Sequence, residues 1–124
     1  MEQIIIERLN EELRKLEFTG GIIGTALVKK NGLLITSRLP RDIDERKFGA
    51  MAATIHGAFE TAVKYFDKEV INHITIELED YQLIIMGVEK IILISIMELN
   101  KNLAIALIEM EQTINKFKNI LNKK

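Results

Sequence analysis

Apolar residues recur at helical spacing in three segments of the chain, and in the first of them charged residues occupy the opposite face. The first segment covers residues 2–17 and stops at a pair of glycines, which suit the backbone that follows a helix end. The second covers residues 42–67 and begins at a capping pair, Asp42 with Glu45. The third begins at residue 103. We therefore expect a long central helix and two terminal helices.

Five segments between these helices have the patterns of β-strands. Asn31-Gly32 separates the first two and is the strongest short-range signal of a hairpin, because both residues tolerate a positive φ. The third alternates apolar and polar residues, whereas the last two are apolar on both faces and must be covered on both. The expected strands are residues 22–30, 33–37, 74–78, 83–88 and 91–97.

The order of these elements predicts an α/β (α+β) sandwich of the form α-β-β-α-β-β-β-α. Connections between consecutive strands are short, so the sheet is expected to be largely antiparallel. No linker, internal repeat or low-complexity segment interrupts the pattern. We therefore expect residues 1–124 to form one domain.

The central helix has an unusual face opposite its expected core stripe. That stripe consists of Phe48, Met51, Ala52, Ile55, Phe59, Ala62, Val63 and Phe66. The opposite face consists of Gly49, Ala50, Ala53, Thr54, Gly57, Ala58 and Thr61. It carries almost no charge over three turns, although an exposed helix face usually carries Glu, Lys and Arg.

Glycine in the middle of a helix costs roughly 1 kcal/mol relative to alanine, and this face has two glycines. Gly49, Ala53 and Gly57 form one smooth ridge along which another backbone can approach closely. Another part of the same chain could cover the face. The terminal helices are needed on the other side of the sheet, however, which favours an interface with another molecule.

Composition and charge exclude several classes of function. The formal net charge is −1, which argues against an electrostatic binder of nucleic acid or anionic membranes. The sequence has no cysteine, which excludes disulfides, thiol nucleophiles and thiolate metal sites. No apolar run approaches the roughly 18 residues that span a bilayer. Glu2 and Gln3 stand where a signal peptide would be cationic, so we expect a cytoplasmic protein without membrane insertion.

Candidate catalytic and ligand-binding groups are few. His56 and His73 are the only histidines, and neither has a second ligand at metal spacing. We expect His56 to be packed and His73 to be exposed. The loop before the central helix is surrounded by Arg38, Arg41 and Arg46. An arginine here could act on the phosphates bound by a GTPase, but we favour the interpretation that the three arginines are solvated. We therefore expect that the protein is not an enzyme and that it binds neither a cofactor nor a metal ion.

Several stretches of the chain resemble the Roadblock family, which is named for dynein light chains and is related to the scaffold subunits of Ragulator. The stretches are residues 24–28 running into residues 31–35, Leu39-Pro40 with an acidic helix start, Ala50-Met51-Ala52-Ala53, and Asn102-Leu103-Ala104. The family often has glycine where this chain has Ala104. The resemblance extends over the whole chain.

This resemblance implies a five-stranded antiparallel sheet with the central helix on one face and the terminal helices on the other, as in profilin-like folds. It implies a dimer, either a homodimer or one with a paralogous Roadblock protein, in which the third strands pair edge to edge and the central helices lie side by side. It also implies a platform for a small Ras-like GTPase. Carried over by position, the pairing edge is Thr75, Ile76, Glu77 and Leu78, and the helix platform is Ala50, Ala53, Thr54 and Gly57.

Our leading hypothesis is a non-enzymatic dimeric scaffold or regulator that binds a small GTPase and modulates its nucleotide cycle. One alternative is a structural adaptor subunit of a larger complex without a GTPase. Another is a small-ligand sensor of the PAS or GAF type, which needs a cavity with convergent polar groups. The strand interiors offer mainly Ile, Leu and Met, which favour a filled core instead.

Overall fold

A computed structural model describes residues 2–67 and 69–122, where three helices and five strands follow the expected order. The elements are α1 (Glu2–Leu16), β1 (Ile22–Lys29), β2 (Leu34–Arg38), α2 (Glu45–Val63), β3 (Ile74–Glu77), β4 (Tyr81–Val88), β5 (Ile91–Glu98) and α3 (Leu103–Asn122). The strand boundaries lie within two residues of those that the sequence predicts.

The strands form one antiparallel sheet in the order β2-β1-β5-β4-β3. Helices α1 and α3 pack on one face of the sheet, and α2 packs on the other. Both faces of the apolar strands β4 and β5 are therefore covered, as their sequences require. The predicted fold class is confirmed.

Tight turns and two register shifts in β1, at Ile22/Gly24 and at Leu27/Val28, set the pairing of the strands. Gly32 has a φ of 96° between β1 and β2, and Glu89 has a φ of 52° between β4 and β5. The predicted hairpin between β1 and β2 is confirmed, but of Asn31 and Gly32 only the glycine has the positive φ on which the prediction rested. Gly24 lies at a bulge in β1, where a Cβ would be 3.1 Å from Cδ of Pro40.

The two faces of the sheet carry cores built from residues of different size. Between the sheet and the terminal helices, large side chains such as Leu13, Met110 and Phe117 are fully buried. On the other face, α2 contributes only Ala52 and Ala53 to the buried cluster. Small side chains at the line of contact let α2 lie close to the sheet.

The ends of α2 differ from the prediction. Its N-cap is Asp44 rather than Asp42, because the Asp44 carboxylate accepts hydrogen bonds from the amides of Arg46 and Lys47, each at 3.1 Å. The helix ends at Val63, several residues earlier than the apolar pattern suggests.

The predicted core stripe of α2 is correct only in part: Ala52 is buried, and Phe48, Met51 and Ile55 are partly buried against the same core. The helix residues that are buried against the sheet are Gly49, Ala52, Ala53 and His56. Phe59 and Phe66, which belong to the predicted stripe, are 51% and 63% exposed. The sheet already presents large side chains such as Val28 to this helix, so only small residues fit at the closest line of contact.

Candidate functional site

The outward face of α2 consists of small, uncharged residues. We call Ala50, Thr54, Gly57, Ala58 and Thr61 the α2 face; Gly57 is half-buried and the others are exposed. The hydroxyls of Thr54 and Thr61 donate to the carbonyls of Ala50 and Gly57, one turn earlier, at 2.9 and 3.2 Å. Both hydroxyls are thus satisfied within the helix, and the face offers mainly methyl groups and backbone to a partner.

Two residues that the sequence assigns to this face lie on the opposite side of the helix. Gly49 and Ala53 are buried against the sheet. A Cβ on Gly49 would lie 2.5 Å from Cγ1 of Val28, so packing inside the chain explains this glycine. The predicted exposed ridge of Gly49, Ala53 and Gly57 is therefore wrong for its first two members.

Gly57 has no such explanation within the chain. A Cβ at this position would have no atom within 4 Å among the described residues. Glycine nevertheless costs roughly 1 kcal/mol relative to alanine inside a helix. A residue without a side chain, in the middle of an uncharged face, suits the close approach of a second backbone.

Strand β3 forms one edge of the sheet, with β4 as its neighbour. The amide of Leu78 donates to the carbonyl of Tyr81 at 2.7 Å. Since bonded and non-bonded pairs alternate along an antiparallel ladder, the even-numbered residues of β3 bond to β4. Thr75 and Glu77 therefore direct their backbone N–H and C=O groups to the open edge. The segment predicted to pair with a partner thus lies at a sheet edge; the pairing itself stays a prediction.

Apolar side chains lie beside this edge on the α2 side of the sheet. We call Ile55, Phe59, Ile74, Ile76 and Leu78 the apolar flank; Phe59 is 51% exposed and Leu78 is 46% exposed. A groove of about 550 Å³ runs between Phe59 and residues 70–75. An apolar surface beside an open strand edge is a common mark of an interaction site. The helical pattern assigned Phe59 to the core, so sequence reasoning did not find this part of the surface.

A polar cluster lies under the C-terminal half of α2. His56 is 2% exposed, and its Nδ1 lies 3.4 Å from the Glu60 carboxylate, which pairs with the Lys30 ammonium at 3.0 Å. Burial lowers the pKa of His56, and the neighbouring Glu60 carboxylate opposes this shift. The hydrogen bond from Lys30 lowers the pKa of Glu60. His56 is therefore neutral at pH 7, and the ion pair ties α2 to the end of β1.

An open cavity of about 750 Å³ lies beside this cluster. Both ring nitrogens of His56 are buried, so neither is presented to the cavity. The ring packs on Gly87, where a Cβ would be 2.4 Å from Nε2. His56 is thus a packed histidine, as the sequence suggested, and His73 is exposed.

The arginines of the loop before α2 have different surroundings. Arg38 pairs with Glu17 at 2.6 Å, and its Nη1 donates to the side chain of Asn10 at 3.1 Å. Arg38 therefore helps to hold α1 against β2. Arg41 and Arg46 are exposed.

Metal-binding clusters and membrane-spanning helices are both absent from the described part of the chain. Residues 2–67 and 69–122 contain no group of three or more His, Cys, Asp or Glu side chains placed to hold a metal ion. Over the same ranges, no helix is both long enough and apolar enough to cross a membrane.

The fold and its open edge define a class: a profilin-like sandwich whose antiparallel sheet leaves the third strand available on one side. Residues 8–97 match the family model of the Roadblock/LC7 domain. The chain belongs to the Roadblock/LC7 domain family, and the resemblance inferred from its sequence is confirmed.

Similar proteins cover nearly the whole chain. Two uncharacterized proteins of Methanocaldococcus jannaschii are each 32% identical to it over 114 residues, which is 92% of this chain and 97% of theirs. MglB of Myxococcus xanthus has a TM-score of 0.88 at 18% identity, covering 95% of this chain and 90% of MglB. A Roadblock/LC7 domain of Streptomyces avermitilis has a TM-score of 0.81 at 15% identity, covering 87% of this chain and 92% of that domain. At these identities the two structures show a shared fold.

Proposed function

We propose that this chain is a non-enzymatic cytoplasmic scaffold or regulator, which forms a homodimer and binds a small Ras-like GTPase. The observations that carry the proposal are the open β3 edge with the apolar flank beside it, and the uncharged outward face of α2. Membership in the Roadblock/LC7 family supports the class of partner, because the resemblance to this family implies a platform for a small Ras-like GTPase.

The dimer forms by pairing the β3 edges of two copies. A two-fold axis places the same patch on both sides of the contact, so the outward backbone groups of Thr75 and Glu77 meet their counterparts. The two sheets then join into one, and the exposed parts of Phe59 and Leu78 leave water. Pairing satisfies the open edge, which is otherwise a liability for a soluble protein.

The α2 face is the proposed docking surface for the GTPase. Its small residues permit close packing, and its lack of charge means that shape and apolar contact determine recognition. No side chain of this face carries catalytic chemistry, so we expect an effect on the nucleotide cycle to arise from preference for one nucleotide state. A structural adaptor in a complex without a GTPase would use the same surface for another protein.

The dimer is tested by sedimentation of the full chain and of Thr75→Pro. Proline at this position removes an outward N–H and leaves the hydrogen bonds between β3 and β4 in place. We expect the parent to be dimeric and Thr75→Pro to be monomeric. Thr75→Val keeps the N–H and is the matched control, expected to remain dimeric. A monomeric parent, or a Thr75→Pro dimer as tight as the parent, contradicts this part of the proposal.

The partner is tested by capture of Ras-like GTPases encoded in the same genome, loaded with GDP or with a non-hydrolysable GTP analogue. We expect stronger capture of one nucleotide state, and we expect Ala58→Arg to weaken it by roughly tenfold or more. Ala104→Arg places the same charge on the exposed start of α3 and is expected to have no effect. Equal capture by parent and Ala58→Arg contradicts the α2 face as the site. Capture of none of these GTPases favours the adaptor.

A further inference from the structure

Strand β4 extends beyond the strand that pairs with its outer side. β3 pairs with residues 82–85, so Met86, Gly87 and Val88 have a strand beside them only on the β5 side. The carbonyl of Tyr81 faces β3, and alternate residues of β4 share that direction. Gly87 therefore directs its N–H and C=O to the open edge. Among the described residues, no backbone hydrogen bond joins residues 70–73 to it.

Residues 71–73 precede β3 directly and lie beside this stretch of β4. Ile71 and Gly87 together line a cavity of about 750 Å³ on the α2 side of the sheet. The same two residues line a second cavity, of about 530 Å³, on the α3 side. Cavities that meet at the same pair of residues from opposite faces mark a gap between the segment and the edge of β4.

We propose that residues 71–73 pair with β4 when a second copy occupies the β3 edge, so that β3 (residues 74–77) then begins at residue 71. This inference rests on the proposed homodimer and concerns how its edge is built. The pairing of Ile74 with Ile85 fixes the register, which places Asn72 opposite Gly87 and Ile71 opposite Val88. In this register Asn72 and Gly87 exchange both backbone hydrogen bonds.

Side chains in this register match the two faces of the sheet. Ile71 would lie on the α3 side, like Thr75, because alternate residues of a strand share a face. The lining of the cavity on that side includes Val88, Leu107 and Ile114 beside the polar Glu111 and Asn115, so the Ile71 side chain would meet three apolar neighbours there. Pairing therefore closes the gap and buries an apolar side chain in the same step.

The β4 side of this pairing is already in place. Met86 is buried, and Gly87 is held beneath the ring of His56. Residues 71–73 are therefore the part of the chain that must move to form the pairing. In a monomer the new hydrogen bonds and the burial of Ile71 would be offset by a longer open edge, which is unfavourable. In the dimer, His73 directs its outward groups to the partner's strand, as Thr75 and Glu77 do, so both sides of the new segment gain partners.

Amide hydrogen exchange of the full chain, followed residue by residue by NMR, tests this inference. We expect the amides of Asn72 and Gly87 to exchange at least roughly tenfold more slowly in the parent dimer than in the Thr75→Pro monomer. Dilution of the parent until it dissociates gives the same comparison without any substitution. We also expect Asn72→Pro, which lacks the N–H that bonds to Gly87, to weaken dimerisation about tenfold. Asn72→Ser keeps the N–H and should dimerise like the parent.

The outcomes separate this inference from the function on which it rests. A parent dimer in which Asn72 and Gly87 exchange as fast as in the monomer overturns the inference and leaves the dimer standing. Unchanged dimerisation of Asn72→Pro overturns it as well. A parent that stays monomeric overturns the proposed dimer and this inference together. The exchange comparison on the parent is decisive even where Asn72→Pro fails to fold.

Discussion

Gly49 of α2 lies so close to Val28 of β1 that a Cβ on the glycine would be 2.5 Å from Cγ1 of the valine. Gly57, two turns later in the same helix, has no atom of the described residues within 4 Å of the corresponding position. The first glycine is explained by packing inside the chain. The second has no such contact and leaves open space on the surface of the helix.

Alanine at these two positions should therefore have opposite effects. Gly49→Ala gains helix propensity but forces a methyl group into a packed contact, and we expect it to lower the free energy of unfolding by about 1–3 kcal/mol. Gly57→Ala meets nothing and should raise the free energy of unfolding by up to about 1 kcal/mol. Urea denaturation followed by circular dichroism measures both, in the Thr75→Pro background so that dimerisation does not contribute. Stabilisation by both changes would contradict the close contact with Val28.

The sequence predicts that α2 is a helix but does not predict which of its sides faces the sheet. Periodicity finds the helix, since apolar residues recur at helical spacing, and turn chemistry finds the Asn31-Gly32 hairpin. Periodicity assigns the helix face with the largest side chains to the core, however. It therefore predicts that Phe59 is buried against the sheet and that Gly49 is exposed. Which side faces the sheet depends on how much space β1 and β5 have already filled, and that is set by residues distant in sequence.

The candidate site was predictable only in part for the same reason. Alternation along β3 predicted the strand, because a four-residue alternating segment carries its own signal. The family resemblance alone placed Thr75 and Glu77 at an edge. The exposure of Phe59 depends instead on where α2 ends and how it lies over the sheet. No local pattern reports that arrangement.

Asn10 shows a structural role that its sequence context hides. Its side-chain amide donates to Oγ1 of Thr36 at 2.8 Å and to the carbonyl of Ser37 at 3.2 Å, and it accepts from Arg38. We expect Asn10→Ala to lower the free energy of unfolding by about 1–2 kcal/mol, because three partly buried groups lose a partner.

Glu7→Ala is the matched control for Asn10→Ala, since Glu7 lies on the same helix and is exposed. It should change the free energy of unfolding by less than about 0.5 kcal/mol. Urea titrations of the two variants provide the comparison. Equal effects would show that the contacts of Asn10 with β2 do not stabilise the fold.

Thr25 and Ser95 are cross-strand neighbours, and their buried hydroxyls have no hydrogen-bond partner among residues 2–67 and 69–122. A buried polar group without a partner costs about 1–3 kcal/mol. Thr25→Val keeps the shape of the side chain and removes the hydroxyl, so we expect the free energy of unfolding to rise by about 1 kcal/mol. Combining it with Ser95→Ala leaves a small void and should give no further gain. Thermal unfolding of the single and double variants tests this, and destabilisation by Thr25→Val alone would contradict it.

His56 should make the stability of the protein depend on pH in the weakly acidic range. Burial lowers its pKa in the folded state below the ordinary value of 6.5, so the unfolded chain binds a proton more readily than the folded chain does. The stability that comes from the neutral ring is fully present above pH 6.5. It is lost as the pH falls from there toward the lowered pKa, at up to about 1.4 kcal/mol per pH unit. The lowered pKa of Glu60 acts separately, because a carboxylate contributes its pH dependence below its ordinary value of 4.5.

Urea titrations at several pH values between neutrality and pH 5 measure this dependence. We expect the parent to lose stability over this range, and we expect His56→Gln to remove most of the slope, whatever its effect on stability at pH 7. His73→Gln removes the other histidine, which is exposed, and should keep the slope of the parent. The same slope in His56→Gln and the parent would mean that the buried imidazole beside Glu60 is not the group that takes up the proton.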